Sequence, residues 1–545
     1  MRILVAQLNP TIGDIEGNGE KILHALDRAR EEKVEVVLFS ELVLSGYPPE
    51  DLLLHPAYID AQEAYLDKIV KASSGMFVAF GMARHNRTKG EKIVFNSAAI
   101  MHDGKLLGFE DKILLPTYDV FDERRYFEPG AKVHVWPYKG KKIGLLICED
   151  MWQHAGAVPD THYARDPVEE IALLKPDLLL NLSASPYHDQ KPDVRIGVCV
   201  KAAKRVGVPI VMSCQVGGND QLVFDGYSLW VDAQGRLQQV AKGFEEDFLI
   251  IDSEKTGPAS VFYCDPIQDL FRALALGTSD YLRKLGFQKV VIGLSGGIDS
   301  AVVACIAVHA LGRENVLGVF MPSRFSSPSS ISDAEALAKN LGIETLLIPI
   351  ERPFQVFLDL LEPHFGNRAF DVTEENMQAR IRGTILMSLS NKFGHIVLST
   401  GNKSEVAMGY CTLYGDMVGG LAIISDVTKK QVYELARFIN REREIIPENI
   451  LHKEPSAELK PEQKDSDALP DYDIVDQVLK EYVEDYLTPK EIARRNDIPL
   501  ELVTYLVHGI HKAEYKRQQA AIGIRVSKKS FKAGRRYPIV QRWVE

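Results

Sequence analysis

Cysteine is scarce in this chain: Cys148, Cys199, Cys214, Cys264, Cys305 and Cys411 are the six present in 545 residues. They form no CxxC pair and no Cys/His metal spacing, which argues against a disulfide scaffold or a zinc site and suits a reducing cytosol. Long hydrophobic runs are also missing. Nothing approaches about 18 apolar residues without a charge, so no membrane-spanning helix is expected. The opening MRILVAQLNP reads as a strand and not as a signal peptide. Positive charge is in deficit, 64 Lys+Arg against 75 Asp+Glu, giving a formal net charge of -11 and a pI near 5.8. Such a field repels nucleic acid and anionic membrane. The one basic cluster is C-terminal (Lys528, Lys529, Lys532, Arg535, Arg536, Arg542). It reads either as a solvated surface or as a contact for substrate phosphates or a neighbouring subunit. A cytoplasmic protein engaging neither nucleic acid nor membrane is the expectation.

What is present is a chain too long for one ordinary core, so two domains of about 250 residues are expected. Hydrophobic content of 46% with 26% charged residues suits a well-buried globule. In the first half, short β-branched runs alternate with helical stretches such as NGEKILHALDRAREE. The runs are RILVAQ, VEVVLFS, MFVAFGMA, NSAAIMH, KIGLLICE, PDLLLNLSAS and PIVMSCQVG, each bounded by turn formers. A mixed α/β sandwich over residues 1–250 follows. The rhythm breaks at DSEKTGPASVFYCDP, which marks a linker over 251–265. Beyond it, KVVIGLS, NVLGVFM, TLLIPI and HIVLST alternate with amphipathic helices, predicting a doubly wound parallel sheet over 266–545. The polar, Pro-rich stretch 455–473 reads as a mobile loop of the kind that serves as a lid.

The strongest local signal lies in VVIGLSGGIDSAVVACIAVHAL, where a buried strand runs through Gly293, Leu294, Ser295, Gly296, Gly297, Ile298, Asp299 and Ser300 into a helix. Glycines let backbone amides close around phosphate oxygens, and the helix N-terminus favours negative charge. Asp299 would repel a polyphosphate, so a bridging Mg²⁺ is implied. By spacing alone, a Gly-Gly turn between strand and helix fits the same residues. The Gly-Lys-Ser/Thr ending of a Walker loop is missing, so transfer of a γ-phosphate is not expected.

SGGIDS resembles the pyrophosphatase-type loop of ATP-dependent adenylating enzymes. EENMQARIRGTILMSLSN, VLSTGNKSEVAMGYCTLYGDMVGG, SDVTKKQVYEL, the PSAELKP…LPDYD loop and EYKR resemble the NAD synthetases. The resemblance implies ATP at the loop from Gly293 to Ser300 and at Thr400, and deamido-NAD at Asn376, Glu405 and Lys516. It also implies Mg²⁺ at Asp299 and Glu405, with Arg380, Asp416 and Lys429 as further polar positions. The chemistry implied is transfer of AMP to a carboxylate, loss of pyrophosphate, and attack by ammonia.

In the first half, Glu41 ends VVLFSE, Cys148 ends IGLLICE and Lys112 precedes ILLP. Strand-end side chains converge on one rim in α/β folds. A cysteine there could attack a carboxamide, with Glu41 taking the thiol proton and Lys112 favouring thiolate and oxyanion. On spacing alone an inert buried cysteine is the commoner case. SELVLSGYPPEDLL, EDKILLPTYDVFDERRYFEPG and GLLICEDMW resemble the nitrilase and amidase superfamily. That resemblance covers residues 1 to about 250 and implies an α-β-β-α sandwich. Its Glu-Lys-Cys triad falls on Glu41, Lys112 and Cys148, with Glu123 in support. In the glutaminase branch Tyr118, Ser185 and Lys191 match glutamine contacts, and Tyr47 a pocket wall.

Joined, the two resemblances imply an enzyme that takes ammonia from glutamine and uses ATP and Mg²⁺ to amidate deamido-NAD. They also imply homo-oligomers built on dimers of the second half. A degenerate first half serving as a binding or assembly module, with free ammonia as nitrogen source, is the alternative.

Overall fold

Strands that read as continuous apolar runs become central strands because both of their faces are covered. In the computed structural model, residues 1–543 are described apart from 159, 160, 256, 367 and 468. The chain divides into two compact units, Met1–Cys264 and Asp265–Glu545. The first holds β1 (Arg2–Gln7), β2 (Val36–Leu38), β3 (Phe77–His85), β4 (Val94–His102), β5 (Lys105–Asp111), β6 (Val135–Tyr138) and β7 (Lys141–Ile147). It continues with β8 (Leu178–Ser183), β9 (Ile210–Cys214), β10 (Val216–Asn219), β11 (Leu222–Asp225), β12 (Leu229–Val231), β13 (Leu237–Val240) and β14 (Asp247–Asp252). Two six-stranded sheets result, in the orders β14-β1-β2-β3-β4-β5 and β13-β12-β9-β8-β7-β6, with β10 and β11 as a separate ribbon.

The period-2 alternation of side chains sorts these strands into layers. Ile3 and Val5 of β1 join Leu178, Leu180 and Leu182 of β8 in a core between the two sheets. Leu4 and Ala6 face outward, against Ile22, Leu26 and Ile69 of helices Ile15–Glu31 and Pro56–Ala72. Leu179 packs with Ile171, Val198 and Ala202 of helices Pro167–Leu173 and Lys191–Val206 on the far side. The unit is therefore the expected α-β-β-α sandwich. After β14, Ser260 and Phe262 still pack onto it; residue 256 of the expected linker lies outside the described residues.

The second unit holds β15 (Val290–Gly293), β16 (Val316–Phe320), β17 (Glu344–Leu347), β18 (Ile396–Ser399) and β19 (Leu421–Ala422), all parallel, in the order β17-β16-β15-β18-β19. Helices Glu351–Phe365 and Val372–Phe393 cover one face. Helix Ile298–Leu311 packs behind β15 and β16, with Pro266–Leu285 and Lys429–Ile439 against it. This is a doubly wound sheet whose direction of winding reverses between β15 and β18. Such a reversal opens a crevice at the carboxyl ends of the two strands.

Two expectations change in detail. Of the C-terminal basic residues, Lys528, Arg536 and Arg542 are exposed, as a solvated surface would have them, whereas Arg535 is buried and donates to Glu514 Oε2 at 2.7 Å. The 455–473 stretch, described except for residue 468, is tied down, with Glu458 accepting from the Ser327 amide at 3.1 Å and from the Ser330 hydroxyl at 2.6 Å. One buried ion pair braces the first unit: Arg195 of helix Lys191–Val206 meets Asp225 of β11 at 2.8 Å, both fully enclosed. Arg195→Met leaves that carboxylate enclosed without its partner. A loss of about 3–5 kcal/mol in unfolding free energy is expected, measured as a lower denaturant midpoint with the slope unchanged.

Candidate active sites

In the first unit, chain ends leaving both sheets meet. Glu41 lies just past β2, where Leu42 takes a φ of +47°. Gly81 of β3 presses on this turn so closely that a Cβ there would sit 2.1 Å from the Leu42 nitrogen and 2.7 Å from the Glu41 Cα. Lys112 immediately follows β5, and Cys148 follows β7 with a φ of +42°. That left-handed conformation is costly without glycine and persists where its surroundings impose it.

The Lys112 ammonium donates to Glu41 Oε1 at 2.6 Å and to Glu123 Oε1 at 2.7 Å. Asn96 donates to the same Glu41 oxygen at 2.7 Å, and the Tyr47 hydroxyl to Glu123 Oε1 at 2.8 Å. Consecutive residues at the end of β8 complete the link. The Ser183 hydroxyl donates to Cys148 Sγ at 3.3 Å, and the Ala184 amide to Glu41 Oε2 at 3.1 Å. Glu41 and Lys112 are each 1% exposed and Cys148 4%. The structure thus gathers Glu41, Lys112, Cys148 and Glu123 in one water-poor cluster.

Burial dominates the protonation states. It would push Lys112 down, but Glu123, Glu41 and Cys148 outweigh it and hold the ammonium well above its usual range. Burial raises Glu123 to about 7 against the pull of Lys112. The Cys148 thiol is pushed up by burial first and by the Glu41 carboxylate second, with Lys112 opposing. The surroundings of Cys148 thus favour the thiol, and the Lys112 ammonium does not offset the burial.

The residues expected to hold glutamine lie against this turn. Tyr118 and Tyr163 both donate to Glu149 Oε1 at 3.0 Å, and Lys191 places its ammonium 4.0 Å from the centre of the Trp152 ring. Ser185, buried, follows Ala184. Glu149 and Tyr163 escape the sequence reading. The acid directly after Cys148, at the end of the apolar run IGLLIC, was the available signal for Glu149.

In the second unit, the loop from Ser295 to Ser300 leaves β15 and enters helix Ile298–Leu311, while Thr400 follows β18, so both face the crevice of the winding reversal. Gly293 ends β15 and Leu294 donates its amide to Val319 O. Gly296 has a φ of +77°, and a Cβ on it would lie 2.2 Å from the Ser330 carbonyl oxygen. Ser295 and Ser300 share a hydroxyl hydrogen bond of 3.1 Å, and the Gly297 amide donates to Ser295 Oγ at 3.2 Å. Lys453 clamps the loop, donating to Gly296 O at 3.0 Å and Ser330 Oγ at 2.7 Å. Sequence reasoning placed Lys453 in no role.

At the helix start, Lys429 lies between Asp299, at 2.6 Å, and Glu405, at 3.3 Å, and Asn402 donates to Asp299 Oδ1 at 2.9 Å. Burial raises Glu405 to about 8, with Lys429 opposing and Asp299 and Asp465 adding to the rise. The two carboxylates on either side of Lys429, partly exposed, offer oxygen donors of the kind a hard divalent cation takes.

Asn376 and Lys516 gather on a neighbouring segment. Asn376 Oδ1 accepts from the Thr412 hydroxyl at 2.6 Å, and Asp416 Oδ1 from the Thr412 amide at 2.8 Å. Arg380 donates to Leu413 O at 3.2 Å, while Lys516 donates to Gly409 O at 2.8 Å and Cys411 O at 2.7 Å. Among the described residues, no hydrogen bond joins Asn376 or Lys516 to Asp299, Glu405 or Lys429. Helix Lys403–Met408, which carries Glu405, ends where this segment begins.

Comparison with known proteins follows the same division. A family model described as carbon-nitrogen hydrolase matches residues 2–255, and one described as NAD synthase matches residues 270–520. The glutamine-dependent NAD(+) synthetase of Synechocystis sp. is 46% identical, over 99% of this chain and 98% of its own length. That of Thermotoga maritima is 44% identical, over 100% and 99%. A solved glutamine-dependent NAD+ synthetase from Acinetobacter baumannii, in complex with ADP, is 38% identical with a TM-score of 0.78, covering 100% of this chain and 99% of that one. The structure from Cytophaga hutchinsonii, 21% identical with a TM-score of 0.85 over 99% and 98%, shares the fold. With both family models in one chain and identities above 40% over its length, the chain belongs to the family of glutamine-dependent NAD(+) synthetases.

Proposed function

We propose that this chain makes NAD from deamido-NAD, with ATP as activating agent and glutamine as nitrogen source. The observation that carries the reading is the enclosed cluster of Lys112 between Glu41 and Glu123, beside Cys148 on a strained turn. A module that only bound or assembled would have no use for an ammonium and two carboxylates kept from water, since such burial costs stability.

Glutamine enters with its α-ammonium toward Glu149, which Tyr118 and Tyr163 hold in place, and its carboxylate toward Lys191 and Ser185. Glu41 takes the Cys148 proton as the sulfur attacks the carboxamide carbon. Lys112 stabilises the oxyanion, and the proton on Glu41 leaves with ammonia, giving a glutamyl thioester. Water, deprotonated by Glu41, attacks the thioester. Glutamate departs and the thiol recovers its proton.

In the second unit, the loop from Gly293 to Ser300 and Thr400 hold ATP, and the Asn376, Glu405 and Lys516 region holds deamido-NAD. The nicotinate carboxylate attacks the α-phosphorus and pyrophosphate leaves. Ammonia then attacks the mixed anhydride, AMP leaves, and the amide remains. Asp299 and Glu405 would hold Mg²⁺, which neutralises phosphate charge when bound. The reading carries with it a cytosolic location and a homo-oligomer. Supporting self-assembly, Val356, Phe357 and Leu360 are exposed on helix Glu351–Phe365, of which only Phe354 is buried.

The test is NAD formation from deamido-NAD, ATP and Mg²⁺, run in parallel with glutamine and with ammonium salt. Both are expected to give product, with AMP and pyrophosphate released. Cys148→Ala is expected to abolish the glutamine reaction and leave the ammonium reaction intact; equal loss of both would overturn the division of labour. Gly81→Ala pushes on the Glu41 backbone, and a displacement of that order costs about 100-fold in glutamine kcat, with ammonium-driven turnover unchanged. Gly296→Ala forces a Cβ into the Ser330 carbonyl and is expected to lower both reactions together, measured as parallel loss of kcat/KM for ATP.

A further inference from the structure

The proposed glutaminase reaction needs Lys112 and Cys148 in register, yet they sit on different sheets and each lies just outside a strand. After Lys112 the chain leaves the ladder, and residues 112–117 form neither helix nor strand. The Lys112 amide still donates to Asn96 O of β4 at 2.9 Å, and beyond it the amides of Ile113 and Leu114 turn to a side chain. Both donate to a single atom, Asp150 Oδ1, at 3.1 and 2.8 Å. The other oxygen, Asp150 Oδ2, accepts from the Ile147 amide at 3.0 Å, the residue before Cys148. Asp150 is 1% exposed and lies in the turn Cys148–Met151.

We propose that Asp150 is a positioning residue for the glutaminase reaction, one carboxylate tying the backbone that carries Lys112 to the turn that carries Cys148. The inference rests on the glutaminase reading above. Each oxygen serves a different loop, so neither loop can shift without leaving a buried amide unpaired. The same tie helps to hold Cys148 at its positive φ, since the Ile147 amide anchors the chain just ahead of it. Burial raises the Asp150 carboxyl to about 7, against the pull of the Leu114, Ile147 and Ile113 amides. A neutral side chain of equal shape would avoid that burial cost, but it could not accept at both ends. In asparagine one end becomes a donor, and it would face either Ile147 or the Ile113–Leu114 pair.

The test uses the full-length protein and the paired glutamine and ammonium assays. Asp150→Asn is expected to lower glutamine kcat about 100-fold, the scale of a misplacement near 1 Å. Glutamine KM is expected to change less than kcat, because Glu149 on the same turn is also held by the Tyr118 and Tyr163 hydroxyls. Ammonium-driven NAD formation should match the wild type. Asp150→Glu keeps two acceptors and is expected to lie between Asp150→Asn and wild type. Wild-type glutamine kcat in Asp150→Asn overturns the proposal, and so does a rise in KM at unchanged kcat or a parallel fall of both reactions in folded protein. Should Asp150→Asn not fold, Asp150→Glu must show a lower glutamine kcat at an unchanged ammonium rate, and failing that the proposal is rejected. Cys148→Ala separates the two ideas: glutamine activity surviving in that variant would sink the glutaminase reading itself.

Discussion

An ammonium taken out of water must be surrounded by negative charge, and Lys112 is held by two carboxylates and almost nothing else. Two carboxylates against one ammonium leave the cluster short of positive charge. Glu123, raised to about 7, relieves the surplus by keeping its proton to near neutrality, with the Tyr47 hydroxyl donating to it. None of this works if water enters, so the four-layer sandwich has a task beyond stability. Its inter-sheet core brings the chain ends of both sheets together where solvent is excluded.

The second unit repeats the device with different consequences. Lys429 lies between Asp299 and Glu405 as Lys112 lies between Glu41 and Glu123, and again one of the two acids is driven upward, here to about 8. In the first unit the lysine is locked in by surrounding hydrogen bonds. In the second the acids border the loop from Ser295 to Ser300 at the crevice between β15 and β18, with Lys429 joining them.

Much of this was legible in the sequence, for reasons that can be named. VEVVLFS, KIGLLICE and PDLLLNLSAS read clearly because two-sided burial demands unbroken apolar runs. Glu41, Cys148 and Lys112 stood out as polar residues at the ends of such runs or just ahead of one. Strands such as Leu237–Val240, with the sequence LQQV, were missed because a strand near a sheet edge carries polar residues on its open face. Gly81 and Asp150 were invisible for a deeper reason. What each does is defined by a neighbour distant in sequence or by a backbone amide, and no local pattern records that. Lys516 shows the reverse case: its place in a motif was legible, but its grip on the Gly409 and Cys411 carbonyls was not.

A sulfur that rests as a thiol has a chemical consequence of its own. Peroxide and other oxidants attack thiolates, and cysteine enzymes with acidic thiols lie open to sulfenic and sulfinic damage for that reason. Cys148 is held protonated by burial and by the Glu41 charge, and it is enclosed as well. In the proposed reaction it becomes nucleophilic only as a bound amide accepts its attack and Glu41 removes the proton. A thiol enclosed and kept protonated in this way is a poor target for oxidants for as long as the surrounding burial holds.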